Sequence, residues 1–81
     1  MTTQSGLDDC IFYMECAHRK VSIDNVKWTR EYLQQMIDAD VDASIAERYH
    51  MRAALDAINS EYYDLASKAL KRVGLARTHG I

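Results

Sequence analysis

Proline is missing from this 81-residue chain, and glycine occurs only as Gly6, Gly74 and Gly80. Residues 7–73 therefore lack the strongest helix breakers, and no stretch alternates apolar and polar residues between turn signals, so long helices are expected and strands are not. Cysteine is scarce: Cys10 and Cys16 stand six apart in a segment that reads as helix, where their side chains point to different faces and cannot be bridged. Free thiols suit a reducing compartment. Long apolar runs are also lacking. The longest nearly unbroken one, Cys10 to Met14, is far short of the ~20 residues of a membrane span, and no charged start with an apolar stretch marks a secretory leader. The expected location is the cytoplasm, with no membrane partner. A basic excess is missing too: the net charge is -2, which gives nucleic acid no general electrostatic attraction. Lys68, Lys71, Arg72 and Arg77 gather near the C-terminus, where cations complement a helix dipole without any ligand.

What is present is amphipathic helix. Ser5 and Asp8 form an S-x-x-D start, and the first helix is expected over about residues 6–37. Its weak point is 21–25, where Val21 and Ile23 are β-branched and Ser22 or Asp24 could cap a new helix. Asp38, Asp40 and Asp42 mark a turn over 38–43. Ser44 and Glu47 then give the S-x-x-E capping box of a second helix over about 44–73, with Gly74 placed to end it and a frayed tail over 75–81. The expected fold is all-α: one helical domain over 1–81, built as an antiparallel hairpin of two long helices. A break at 21–25 gives the alternative, a three-helix bundle.

On the second helix, Met51, Leu55, Ile58, Tyr62, Leu65 and Ala69 alternate spacings of four and three, the pattern of an inter-helix seam. A second group including Tyr49, Tyr63, Ala66 and Leu70 lies around the same helix, and the first helix is also apolar on two sides, with Trp28 and Tyr32 on one of them. A lone hairpin cannot cover all these stripes, so the excess reads as a binding surface.

No chemistry emerges from the motifs. Asp38, Asp40 and Asp42 match the opening of a calcium loop, but its sixth position is Ala43 and its twelfth Tyr49, where glycine and a bidentate glutamate are needed. His18, His50 and His79 are far apart, and Cys10, Cys16 and His18 lack zinc spacing. Nothing pairs a cysteine with an activating histidine, and no phosphate loop or nucleophile elbow occurs. The expectation is no enzyme, no cofactor and no metal.

The layout, with Met1-Thr2-Thr3, Leu7-Asp8-Asp9 opening a long helix, an acidic turn near residue 40 and Leu55-Asp56-Ala57-Ile58 inside a second helix, resembles the small helical-hairpin co-chaperones of bacterial type III secretion needle subunits. The resemblance implies a cytoplasmic, non-enzymatic protein that pairs with a larger tetratricopeptide-like chaperone, the two together keeping the needle subunit soluble. By the same resemblance Trp28, Tyr32, Tyr49, Tyr63, Ala66 and Leu70 are the candidate contacts, with self-association the other use of the surface. The alternative function is a small regulatory or inhibitory protein, such as a phage inhibitor or antitoxin-like factor, whose acidic turn mimics phosphate to block an enzyme or DNA-binding protein.

Overall fold

In the computed structural model, which describes residues 3–39 and 43–79, four helices follow one another: α1 (Thr3–His18), α2 (Val26–Ala39), α3 (Ile45–Asn59) and α4 (Tyr63–His79). No strand occurs among the described residues. Each of the two expected long helices is thus two shorter ones. The first is broken over 19–25, as the alternative reading had it, while the second breaks at 60–62, where no break was expected. Gly74 does not end a helix, and α4 runs on to His79 through the expected tail. Of the turn expected over 38–43, Asp38 and Ala39 still belong to α2, and residues 40–42, with Asp40 and Asp42 of the aspartate pattern, lie outside the described residues.

Both breaks have the same construction. After α1, the Lys20 amide donates to the Ala17 carbonyl and the Val21 amide to that of Cys16. After α3, the Glu61 amide donates to Ile58 and the Tyr62 amide to Ala57. These paired bonds are the Schellman closure, and the residue at its pivot must adopt the left-handed backbone conformation. Lys20, with φ of 61°, and Glu61, with φ of 62°, do so without being glycine. The next helix follows after 21–25 at the first break and directly after Tyr62 at the second. Asn25 accepts from both the amide and the hydroxyl of Thr29 to open α2, and the Tyr62 carbonyl accepts from Ala66 to open α4.

The core is one cluster that draws on every helix: Leu7, Cys10, Met14 and Ala17 of α1; Val26, Leu33, Met36 and Ile37 of α2; Met51, Ala54 and Ile58 of α3; Ala66, Ala69, Leu70 and Val73 of α4. The spacings of three and four keep each set on one face of its helix. Helix α4 packs against both α1 and α3, while α2 packs against α3 and, less extensively, α1. Small residues let α4 take this central place: Ala66, Ala69 and Ala76 are buried, and a Cβ on Gly74 would touch Leu7 at 3.5 Å. The two buried hydroxyls are satisfied locally, Thr29 on the Asn25 carbonyl at 2.9 Å and Ser67 on that of Asp64 at 2.8 Å, so neither leaves an unmet donor in the core.

The helix directions place four termini at each end of the molecule. At one end, Ser44 caps α3, its hydroxyl accepting from the Glu47 amide at 3.1 Å as the sequence pattern requires. The Glu47 carboxylate does not close a capping box but pairs with Arg77 Nε at 3.2 Å, tying the start of α3 to the end of α4. Arg48 donates to the Ile37 carbonyl at 2.9 Å and so covers the end of α2. Tyr32 lies over Gly6 so closely that a Cβ there would sit 2.6 Å from its Cζ. We call this the closed end. The opposite end carries both breaks.

Candidate interaction surface

Four of the residues singled out from the sequence are not where that reading put them. Ala66 and Leu70, expected as partner contacts, are fully buried, and Tyr62 and Leu65, expected in the inter-helix seam, are exposed. The break at 60–62 is the reason. It resets the helical phase after Asn59, so a stripe that runs through it on paper swaps its inside for its outside in the fold. Met51, Ile58 and Ala69 of the expected seam are buried, and Leu55 packs half-buried against the core. Of the other contact candidates, Tyr32 and Tyr63 are partly buried against the core, whereas Trp28 and Tyr49 are exposed.

Among the described residues, six of the nine exposed large apolar side chains lie at the open end, while Ile45, Tyr49 and Leu75 lie toward the other. Phe12, Val21, Ile23, Trp28, Tyr62 and Leu65 are between 42% and 72% exposed there, a density that single scattered surface residues do not reach. The seven-residue link after α1 runs between two hollows. One, of about 650 Å³, is lined by Ala17, His18, Lys20, Ile23 and, across the gap, Tyr62, Tyr63 and Leu65. The other, of about 140 Å³, is lined by Phe12, Tyr13, Cys16, Ser22 and Asn25. An aromatic row leads away from the smaller hollow. Phe12 meets Tyr13 edge-on at 5.9 Å, Tyr13 meets Trp28 edge-on at 5.6 Å, and Trp28 stacks on Tyr32 at 5.2 Å. These geometries hold the rings in place before any partner arrives. A shallower groove of about 370 Å³ continues from Tyr62 and Leu65 between α3 and α4, over Ala53, Ala57 and Ala69.

The link is exposed and makes local hydrogen bonds of its own. The Asp24 amide donates to the Ser22 hydroxyl at 3.2 Å and the Val26 amide to the Ile23 carbonyl at 3.2 Å. With those bonds made, Val21 and Ile23 are displayed rather than folded in. Charges around them are mixed: Lys20 and Lys27 on one side of the balance, Asp24, Glu61 and Asp64 on the other. Asp64 pairs with Lys68 at 3.1 Å, and that hydrogen bond lowers its carboxyl pKa.

The cysteines and histidines do not converge. Burial pushes the Cys10 thiol up to about 12, outweighing the opposing effect of the neighbouring Thr29 hydroxyl. At that value it is neither a thiolate nucleophile nor a ready metal ligand near neutral pH. Cys16 is half-buried beside the smaller hollow. His18 is exposed at the end of α1, and His50 lies edge-on to Tyr49 on α3. Among the described residues no group of three or more potential ligands is close enough to hold a metal ion, and no helix is long and apolar enough to cross a membrane.

The sequence reading missed Val21, Ile23, Tyr62 and Leu65 as surface residues. One signal was available: Val21 and Ile23 fall within a run of cap-forming residues, where an apolar side chain has no helical face to join. Comparison with protein-family models, with curated proteins and with solved structures finds no match to this chain.

Proposed function

We propose that this chain is a non-enzymatic protein-interaction module that docks through its open end. The observation that carries this reading is the grouping of six large, exposed apolar side chains around two hollows, whereas the other end is tied together by Arg48 on the Ile37 carbonyl and by Glu47 with Arg77. Anchoring aromatics beside hollows are the usual centre of a protein interface. The same reading takes the four helices as a small bundle that presents this end, in place of an open hairpin with a free stripe. In its most specific form the role is that of a secretion co-chaperone, stabilising a larger helical-repeat chaperone and helping to keep a needle subunit soluble. That form rests on the sequence layout alone.

The test is capture from cells expressing the chain together with its genomic neighbours, with the captured proteins identified by mass spectrometry. A stoichiometric partner retained by the native chain and by Asp9→Asn, but lost on Ile23→Asp, is the expected result. Ile23 is exposed, so the substitution leaves the core untouched. Capture that is indifferent to Ile23→Asp overturns the reading, and capture abolished by moderate salt instead favours the charged, phosphate-mimicking inhibitor.

A further inference from the structure

We infer that the first occupant of the open end is a second copy of this chain, seated across a two-fold axis; the inference rests on the interaction reading above and names the partner. Three observations point to it. The first is area. Taking roughly 200 Å² for a large apolar residue, the exposed fractions of Phe12, Val21, Ile23, Trp28, Tyr62 and Leu65 leave about 700 Å² of surface on these six. That summed area is of the order of the ~800 Å² per partner that a stable interface buries.

The second is shape. An isologous pair requires one surface to be its own complement, so that whatever residue i touches on the partner is touched in return. The open end carries a ridge and a recess side by side. Val21 and Ile23 stand on the link, and the 650 Å³ hollow beneath Tyr62 and Leu65 lies directly beside it. A two-fold axis near Ile23 sends each link into the other copy's hollow. The third is charge. Lys20, Glu61 and Asp64 line the larger hollow together, and the whole chain carries only -2. A strongly acidic or basic partner meets an unfavourable charge wherever it lies, whereas two copies can set Lys20 of each against Glu61 of the other.

The chain has a single tryptophan, Trp28, and it belongs to the patch. Sedimentation equilibrium and Trp28 emission, both followed against concentration on the purified chain alone, therefore read the same event. The expected result is a dimer with a micromolar dissociation constant, a blue shift of Trp28 emission as it forms, and at least ~30-fold weaker association for Ile23→Asp, the loss typical of a central contact. Asp38→Asn, at the closed end, should dimerise like the native chain. Circular dichroism on both variants separates lost association from lost folding, and Tyr62→Ser provides a second lesion on the recess side. A chain that stays monomeric into the high-micromolar range overturns the proposal, as does a dimer that both Ile23→Asp and Tyr62→Ser leave intact. If the chain is monomeric yet captures a foreign partner in an Ile23-dependent way, the second copy is refuted and the interaction reading stands. If it is monomeric and capture ignores Ile23, both fall.

Discussion

At the closed end of the molecule, polar groups from different helices answer one another: Glu47 meets Arg77, Arg48 covers the last carbonyls of α2, and Tyr32 fills the space that Gly6 leaves. At the open end, the breaks are satisfied within their own backbones, and the side chains beside them face outward. Both ends obey the rule that helix termini must have their orphan groups met. They differ in what meets them. Tertiary contacts finish one end; local turns finish the other and leave its apolar surface for something else to cover.

Deleting the same kind of bulk at each end gives the largest contrast. Leu7 is fully buried against Gly74, so Leu7→Ala should cost about 3–4 kcal/mol, as a buried leucine that leaves a partly collapsed cavity does. Ile23→Ala removes a comparable aliphatic side chain from a residue 66% exposed and should stay within about 0.5 kcal/mol for the unassociated chain. Urea unfolding at low protein concentration measures both. Equal costs would break the comparison.

The ion pair gives the next effect. Glu47 and Arg77 are 13% and 16% exposed, so removing one partner leaves the other charge short of compensation in a poorly solvated place. Glu47→Ala should cost about 2–3 kcal/mol, at or just below the range for breaking buried pairs. Unlike a surface bridge such as Lys68 with Asp64, whose side chains are about half exposed, it should lose little of that effect in high salt.

The two thiols report on the two environments directly. Cys16 borders a surface hollow and should react with an aromatic disulfide reagent at once, whereas Cys10, buried and pushed up to about 12, should react only as fast as the chain unfolds. The same shift has a stability consequence. Because the folded thiol holds its proton to a higher pH than the unfolded one, with its ordinary value of 9.0, the folded state binds more protons between 9.0 and about 12. The stabilisation is fully present below 9.0 and should fall by up to about 1.4 kcal/mol per pH unit across that window. Cys10→Ala should flatten that part of the curve.

Much of this fold can be read from the amino acids alone, and what cannot shares one cause. The helical character and the Ser44 cap follow from the near-absence of breakers and a capping pattern. The break before α2 was legible because Ser22, Asp24 and Asn25 are better caps than helix interiors. The break after α3 was not. Asn59 and Ser60 are only mildly poor helix formers, and the pivot that ends α3 is a glutamate. Gly74, the residue that looked like a stop, lies instead inside α4, where a Cβ would make only an ordinary contact with Leu7. Reading glycine as the mark of a helix end thus failed in both directions, and it carried the seam and contact residues of α4 with it. The open end was invisible for the same reason, since it exists only once both breaks are known.

That cause yields the smallest and most discriminating prediction. A left-handed conformation costs a residue with a Cβ roughly 1–2 kcal/mol, while glycine adopts it freely but gives the unfolded chain more freedom to lose. Replacing the pivot by glycine should therefore be a net gain, the reverse of glycine's usual effect near a helix. Glu61→Gly and Lys20→Gly should each stabilise the chain by about 0.5–1 kcal/mol, and because the two pivots belong to separate turns the gains should add to within about 0.5 kcal/mol. Thermal or urea unfolding of the single and double variants checks this against Glu61→Ala, which keeps the Cβ and should gain nothing. If Glu61→Gly destabilises as it would in a continuous helix, then α3 and α4 are one element, the phase is not reset at Tyr62, and the open end loses its recess.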